Sequence, residues 1–183
     1  ATLLIGALAA ATTMGVRAPS SPPEATAATI GAAAGDRRAE LLRLVQSDPG
    51  NGRAWVLLGF LDAEAGRYAE SATAFERALA TSRKIALDPA VWCEYADVLG
   101  MTQGTLAGKP TEAIMKALAL RPGHPRALEM AGSAAYERRD FAAAAQYWRS
   151  LLPQLQAGTQ PHRELSTAIE RAQRLAATSL PPA

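Results

Sequence analysis

Residues 47–59 (SDPGNGRAWVLLG) return in altered form at residues 120–132 (LRPGHPRALEMAG). Both stretches carry a proline, an Arg-Ala pair and a final glycine at matching positions, 73 residues apart. Proline and glycine interrupt helices, and the apolar residues between them recur at helical spacing. The recurrence therefore predicts a helical repeat whose period, apart from insertions, divides the distance between the copies.

A period of about 34 residues, with small and aromatic residues at fixed points of a helix pair, is typical of tetratricopeptide repeats. Two such periods fall five residues short of the 73 that separate the copies. We expect three of these five before Asp88, where the preceding helix would run on through residues 83–85. The other two would lengthen the turn 100–110 (GMTQGTLAGKP). Three stacked repeats with two small insertions are therefore predicted.

Apolar and small residues at matching points of the three units are the expected helix-packing positions. In chain order they are Trp55, Leu58, Gly59, Tyr68, Phe75 and Ala78; Trp92, Tyr95, Ile114 and Ala117; and Leu128, Ala131, Gly132, Phe141, Ala144, Trp148 and Leu151. This assignment places all three tryptophans in the core, and we do not expect them to form an aromatic binding site.

The segments that flank the repeats predict caps for the stack. Residues 36–46 (DRRAELLRLVQ) match a lone second helix, and residues 161–177 form an amphipathic helix for the other end. Residues 179–183 are expected to be a disordered tail. The predicted fold is thus all-α: a tetratricopeptide solenoid of about three repeats within residues 36–178, with an N-terminal capping helix and a C-terminal helix.

The first 35 residues differ in character from the rest. Residues 1–16 (ATLLIGALAAATTMGV) carry no charge, and Arg17 ends the apolar run. Residues 1–17 are expected to be the remnant of a transmembrane helix or, alternatively, of a secretory signal. Residues 18–35 are rich in Pro, Ser, Ala and Gly, which predicts a flexible linker. Either alternative directs the chain to a membrane or across it.

Composition argues against several classes of function. The formal net charge of +2, without a dense basic run, predicts no nucleic-acid partner. Cys93 is the only cysteine, which excludes an internal disulfide, and the two histidines, His124 and His162, lack a second ligand at metal spacing. Neither a GxSxG sequence nor a Gly-rich phosphate loop is present. We therefore expect no enzymatic activity, no cofactor and no metal.

Residues 94–152 carry YADVL, then MTQGTLAGKP, then KALALRPGHPRALEMAG and finally FAAAAQYW. This run, and above all its long turn between helices, closely resembles the C-terminal periplasmic domain of the CcmI (CycH) family of cytochrome c biogenesis proteins. The nitrite-reductase maturation subunit NrfG is similar to the same domain and is the near alternative. Two residues depart from the family pattern: Arg139, where a glycine is usual, and Cys93, where no thiol is expected.

The resemblance implies a chaperone that is anchored in the inner membrane through its N-terminal segment, with its repeats in the periplasm. Such a protein would bind the C-terminal helix of apocytochrome c and present it to subunits of the haem ligation complex. An NrfG-like subunit of a nitrite-reductase haem lyase and a general scaffold joining subunits of a membrane complex are the alternatives.

The candidate binding surface is the concave face, which the first helices of the repeats line. Counting around those helices away from the packing positions gives eleven candidates: Arg53, Val56, Phe60, Glu64, Cys93, Asp97, Met101, Arg126, Glu129, Ser133 and Tyr136. Phe60, Met101 and Tyr136 would receive the apolar stripe of a bound helix. Arg53 and Arg126 would pair with carboxylates, including that of a chain terminus.

Overall fold

The computed structural model describes residues 24–179, and over that range every regular element is a helix. The elements are α1 Glu24–Ser47, α2 Gly52–Glu64, α3 Tyr68–Thr81, α4 Arg83–Ala86, α5 Pro89–Gln103, α6 Lys109–Leu120, α7 Pro125–Glu137, α8 Phe141–Leu151, a 3₁₀ turn Leu152–Gln154 and α9 Gln160–Ser179. The predicted all-α class is confirmed.

Three helix pairs form the body of the domain. Helix α2 packs on α3, α5 on α6, and α7 on α8, and α3 and α6 join each pair to the next. Helix α1 covers α2 at one end, and α9 covers α8 at the other. Ile169 and Ala172 of α9 are buried against α8, as the apolar face of this helix predicts. The three-repeat solenoid with two caps is therefore confirmed.

Close packing within the first and third pairs depends on a glycine. A Cβ atom on Gly59 would lie 3.0 Å from the ring of Phe75, and one on Gly132 would lie 2.1 Å from Nε1 of Trp148. Because the ring lies directly against the backbone of the facing helix, no side chain fits at the glycine. The glycine shared by the two copies of the repeated sequence is thus explained by one kind of helix–ring contact, made twice.

The two insertions lie where the sequence places them, but their form differs from the prediction. Helix α3 ends at Thr81, and Ser82 starts the separate helix α4 by accepting a hydrogen bond from the Ile85 amide at 3.4 Å. The expected continuation of α3 through residues 83–85 is therefore wrong. Helix α5 extends to Gln103, so the predicted turn begins four residues later, at Gly104.

Helix α1 begins at Glu24, so residues 24–35 are helical and the predicted flexible linker is wrong there. Residues 1–23, which include the expected membrane or signal segment, and residues 180–183 of the expected tail lie outside the described residues. Among the helices within residues 24–179, none combines the length and the apolar character that crossing a bilayer requires.

The tryptophans are less uniformly buried than predicted. Trp148 is buried, whereas Trp55 and Trp92 are half-buried. The indole N–H of Trp55 donates to the carbonyl of Pro49 at 3.0 Å, and that of Trp92 donates to the carbonyl of Ala86 at 2.8 Å. Each indole therefore fixes the backbone six residues before it, which is a turn for Trp55 and the end of α4 for Trp92.

Arg139 adopts a left-handed backbone with φ of 63°. The equivalent residue of the first repeat is Gly66, whose φ is 73°. The turn geometry is thus kept although the usual glycine is replaced, at the conformational cost that a side chain carries in this region.

Candidate functional site

The candidate site is the exposed face of the first helices, α2, α5 and α7, on which the eleven predicted positions were counted. Seven of these residues are exposed: Arg53, Phe60, Glu64, Asp97, Met101, Arg126 and Glu129. Val56, Ser133 and Tyr136 are half-buried, and Cys93 is fully buried. Counting around the helix therefore placed most of these residues at the surface.

Large apolar side chains remain uncovered on two of these helices. Phe60 on α2 is 39% exposed, and Met101 on α5 is 57% exposed. Leu57, also on α2, is 48% exposed and was missed by the sequence prediction. Leu57 lies four residues after Arg53 and three before Phe60, and this helical spacing is the sequence signal that places it on the same face. Neighbouring exposed apolar side chains, rather than single ones, mark surfaces that bind other molecules, and Leu57 and Phe60 are neighbours on one face of α2.

The placement of Cys93 on the binding surface is wrong. Its side chain is 0% exposed, and its Sγ atom lies 3.7 Å from Nδ1 of His124. The same Nδ1 atom accepts the amide N–H of Ala127 at 3.3 Å and so caps the start of α7. The first turn of α7 thus covers the thiol. Burial raises the pKa of Cys93 to about 11, which keeps the sulfur protonated at neutral pH.

Arg126 is not free to receive a ligand carboxylate, as the sequence suggested. Its guanidinium lies 3.1 Å from the Glu94 carboxylate and 2.9 Å from the Asp97 carboxylate, both on α5. Burial raises the pKa of Glu94, and the positive charge of Arg126 opposes that rise. Within the described side chains Arg53 makes no ion pair, so it is the predicted arginine whose charge is available.

The side chain of Tyr136 packs against other side chains of the third repeat and of α9. Its ring lies 5.1 Å from that of Phe141 and 5.8 Å from that of Trp148, and the guanidinium of Arg171 on α9 lies 6.0 Å from its centroid. The capping helix therefore covers part of this ring. Phe60 also contacts a core ring, that of Phe75 at 5.3 Å, but keeps a larger accessible surface.

A shallow pocket of about 300 Å³ lies where α5 ends beside α7. It is lined by Asp97, Gly100, Met101, Gly104, Thr105, Leu106 and Glu137. The Glu137 carboxylate accepts the Leu106 amide N–H at 2.8 Å and the Thr105 hydroxyl at 3.0 Å, which holds the turn after α5 against α7. The long turn after α5, on which the family resemblance rests most, therefore forms one wall of a pocket beside the exposed side chain of Met101.

The described side chains contain no group of three His, Cys, Asp or Glu residues placed to hold a metal ion. The buried Cys93–His124 contact lacks the accessible thiolate that nucleophilic catalysis needs. Chemically, the exposed face offers apolar contacts, carboxylates and one unpaired guanidinium.

Comparison with known proteins identifies a family, a related sequence and a similar fold. A model of the family described as cytochrome c-type biogenesis protein H TPR domain matches residues 41–162. The chain is also 31% identical over 139 residues to the cytochrome c-type biogenesis protein CycH of Pseudomonas aeruginosa. The match covers 73% of this chain and 32% of that protein, so the chain spans about a third of this relative.

Among solved structures, the crystal structure of MamA superposes with a TM-score of 0.58 and 11% sequence identity. The superposition covers 77% of this chain and 87% of that chain, and at this identity it concerns the fold alone. The family model, the related sequence and the arrangement of helices agree with one another. The chain therefore belongs to the family of cytochrome c-type biogenesis proteins H and contains the tetratricopeptide domain of that family.

Proposed function

We propose that this domain is a chaperone of cytochrome c maturation, which binds unfolded apocytochrome c and presents it to subunits of the haem ligation complex. The observation that carries the proposal is the set of uncovered apolar side chains on the first helices, Leu57, Phe60 and Met101. Family membership supplies the biological setting. The activity is binding, and no catalytic step is assigned to the chain.

The client element that suits this surface is an amphipathic helix, which we infer to be the C-terminal helix of apocytochrome c. Its apolar stripe would lie on Phe60 and in the pocket beside Met101, in the manner of helix-in-groove recognition. The flexible thioether of Met101 suits clients of differing sequence. The unpaired guanidinium of Arg53 would receive a client carboxylate, and a chain terminus is the natural candidate.

The domain would act in the periplasm, with the N-terminal segment anchoring it to the inner membrane. That location rests on the resemblance to the family and on the uncharged run at residues 1–16. A scaffold that joins membrane subunits is the second candidate, and such a scaffold would not require a helical client of defined sequence.

A pull-down separates these functions. The purified domain is offered immobilised peptides that carry the C-terminal helices of c-type cytochromes, and scrambled peptides of the same composition. We expect the domain to be retained only on peptides with the native residue order. The expected affinity is micromolar, which corresponds to a binding free energy of roughly 8 kcal/mol. Equal retention on scrambled peptides would contradict the chaperone function, and a preference for the C-terminal peptide of a nitrite reductase would favour the NrfG-like alternative.

A further inference from the structure

A second pocket lies between α3 and α5, away from the candidate binding face. It has a volume of about 270 Å³ and is lined by Glu76, Leu79, Ala80, Trp92 and Tyr95. A helix turns by about 100° per residue, which places Trp92 and Tyr95 on a different side of α5 from Asp97 and Met101. A ligand in this pocket would therefore leave the apolar residues of the binding face uncovered.

Two aromatic rings form one wall of this pocket. The rings of Trp92 and Tyr95 lie 6.4 Å apart, with 64° between their planes. The indole is held in place because its N–H donates to the carbonyl of Ala86 in α4. The insertion that produces α4 thus fixes an aromatic wall, and the faces of such rings attract cations.

The charge around the pocket is negative. Burial raises the pKa of Tyr95, and the negative charges of Glu76 on α3 and Glu112 on α6 raise it further. Both glutamates are exposed, and within the described side chains neither takes part in an ion pair. Neither carboxylate is therefore held by a basic side chain at ion-pair distance within the described residues.

We propose that this pocket binds the cationic side chain of an arginine or lysine that a partner polypeptide presents. Its volume lies below the roughly 300–1,000 Å³ of typical small-molecule sites, which suits one side chain. Leu79 and Ala80 would contact the aliphatic stem, the rings of Trp92 and Tyr95 would contact the charged head, and Glu76 would accept its N–H groups. Because a carboxylate accepts hydrogen bonds, a guanidinium or ammonium that donates them fits better than the quaternary ammonium of a lipid headgroup.

Titration of the ¹⁵N-labelled domain with N-acetyl-arginine amide tests this site directly. The indole N–H signal of Trp92, assigned with a Trp92→Phe variant, reports on occupancy. We expect a saturable shift with the arginine compound and none with N-acetyl-citrulline amide, which has the same shape without the charge. Phosphocholine, as the lipid headgroup probe, should also leave the signal in place.

Charge-removing variants complete the test. Glu76→Gln should weaken binding of the arginine compound about threefold or more, which is the range of a partly exposed ion pair. The matched variant Glu40→Gln, an exposed glutamate of α1, should bind as the wild type does. Equal shifts with the citrulline compound or phosphocholine, or unchanged affinity in both Glu76→Gln and Glu112→Gln, would overturn the proposal.

Discussion

The Nε atom of Arg38 donates a hydrogen bond to the carboxylate of Asp62 at 2.6 Å, and Asp62 is only 1% exposed. Arg67 donates to the same oxygen at 2.7 Å. Arg38 belongs to α1, Asp62 to α2, and Arg67 directly precedes α3. One buried carboxylate therefore holds the N-terminal capping helix on the first repeat.

Replacement of Asp62 by Asn should loosen this end of the domain. The substitution keeps the shape but removes the charge that accepts hydrogen bonds from two guanidinium groups, and a hydrogen bond to a charged group is worth about 1.5–3 kcal/mol. Because Arg38 and Arg67 are partly exposed and can hydrate, we expect a total loss of about 2–3 kcal/mol in the free energy of unfolding, measured by urea titration. The exposed Asp36→Asn is the control, and equal stability of the two variants would contradict the role of Asp62.

The contact between Gly132 and Trp148 predicts a variant that a second substitution rescues. Gly132→Ala places a methyl group 2.1 Å from the indole nitrogen, so overpacking should lower the free energy of unfolding by about 2–3 kcal/mol. Adding Trp148→Phe reproduces the ring of the first repeat and should recover part of the loss, a coupling that a double-mutant cycle measures. Additive losses in the double variant would show that the two residues do not compete for the same space.

Acidification should destabilise the domain through His124. Burial, together with the positive charge of Arg121, lowers the pKa of His124, so the folded state favours the neutral ring that caps α7. With the folded-state pKa below the unfolded value of about 6.5, this contribution is present above that pH and is lost as the pH falls. Urea titrations at pH 7.5 and 5 should show the loss. His124→Asn keeps an acceptor for the cap but does not titrate, so its free energy of unfolding should fall less between these two pH values. Equal losses in the variant and the wild type would contradict the role of His124.

The thiol of Cys93 should be inert while the domain is folded. With a pKa of about 11, only about one thiol in a thousand is ionised at pH 8, and the side chain is buried. Iodoacetamide should therefore label the protein in urea but not in buffer, with mass spectrometry as the readout. Cys93→Ser should keep peptide binding, and a maturation defect in a folded, peptide-binding Cys93→Ser protein would reveal a redox role.

The repeat boundaries could be predicted because local chemistry sets them. Pro125 starts α7, and the glycine at Gly66 provides the left-handed turn between α2 and α3. Helix α4 could not be predicted in the same way, because three extra residues fit either a longer helix or a new one. The side chain of Ser82 favours the new helix by capping it.

The binding face was harder to predict than the fold, since exposure depends on what neighbouring helices cover. Counting around α5 places Cys93 beside Asp97, but the first turn of α7 lies over the thiol. The same packing brings Arg126 against two carboxylates of α5, and α9 brings Arg171 against Tyr136. Each correction comes from a contact between residues at least 29 positions apart, which helical periodicity does not report.

Methionines on the first and second helices provide a matched pair of variants for the binding face. Met101 on α5 is 57% exposed and lies in the candidate face, whereas Met115 on α6 is 46% exposed and lies on a second helix. Both substitutions to Ala remove the same side chain from the surface of the same repeat. Neither should change the free energy of unfolding by more than about 0.5–1 kcal/mol.

Isothermal titration of the two variants with the C-terminal helix peptide of a c-type cytochrome tests the central claim most directly. Loss of an anchor worth about 1.4 kcal/mol weakens affinity tenfold, and we expect this for Met101→Ala and for Phe60→Ala. Met115→Ala should bind as the wild type does. Equal affinities for Met101→Ala, Phe60→Ala and Met115→Ala would contradict binding on the first-helix face.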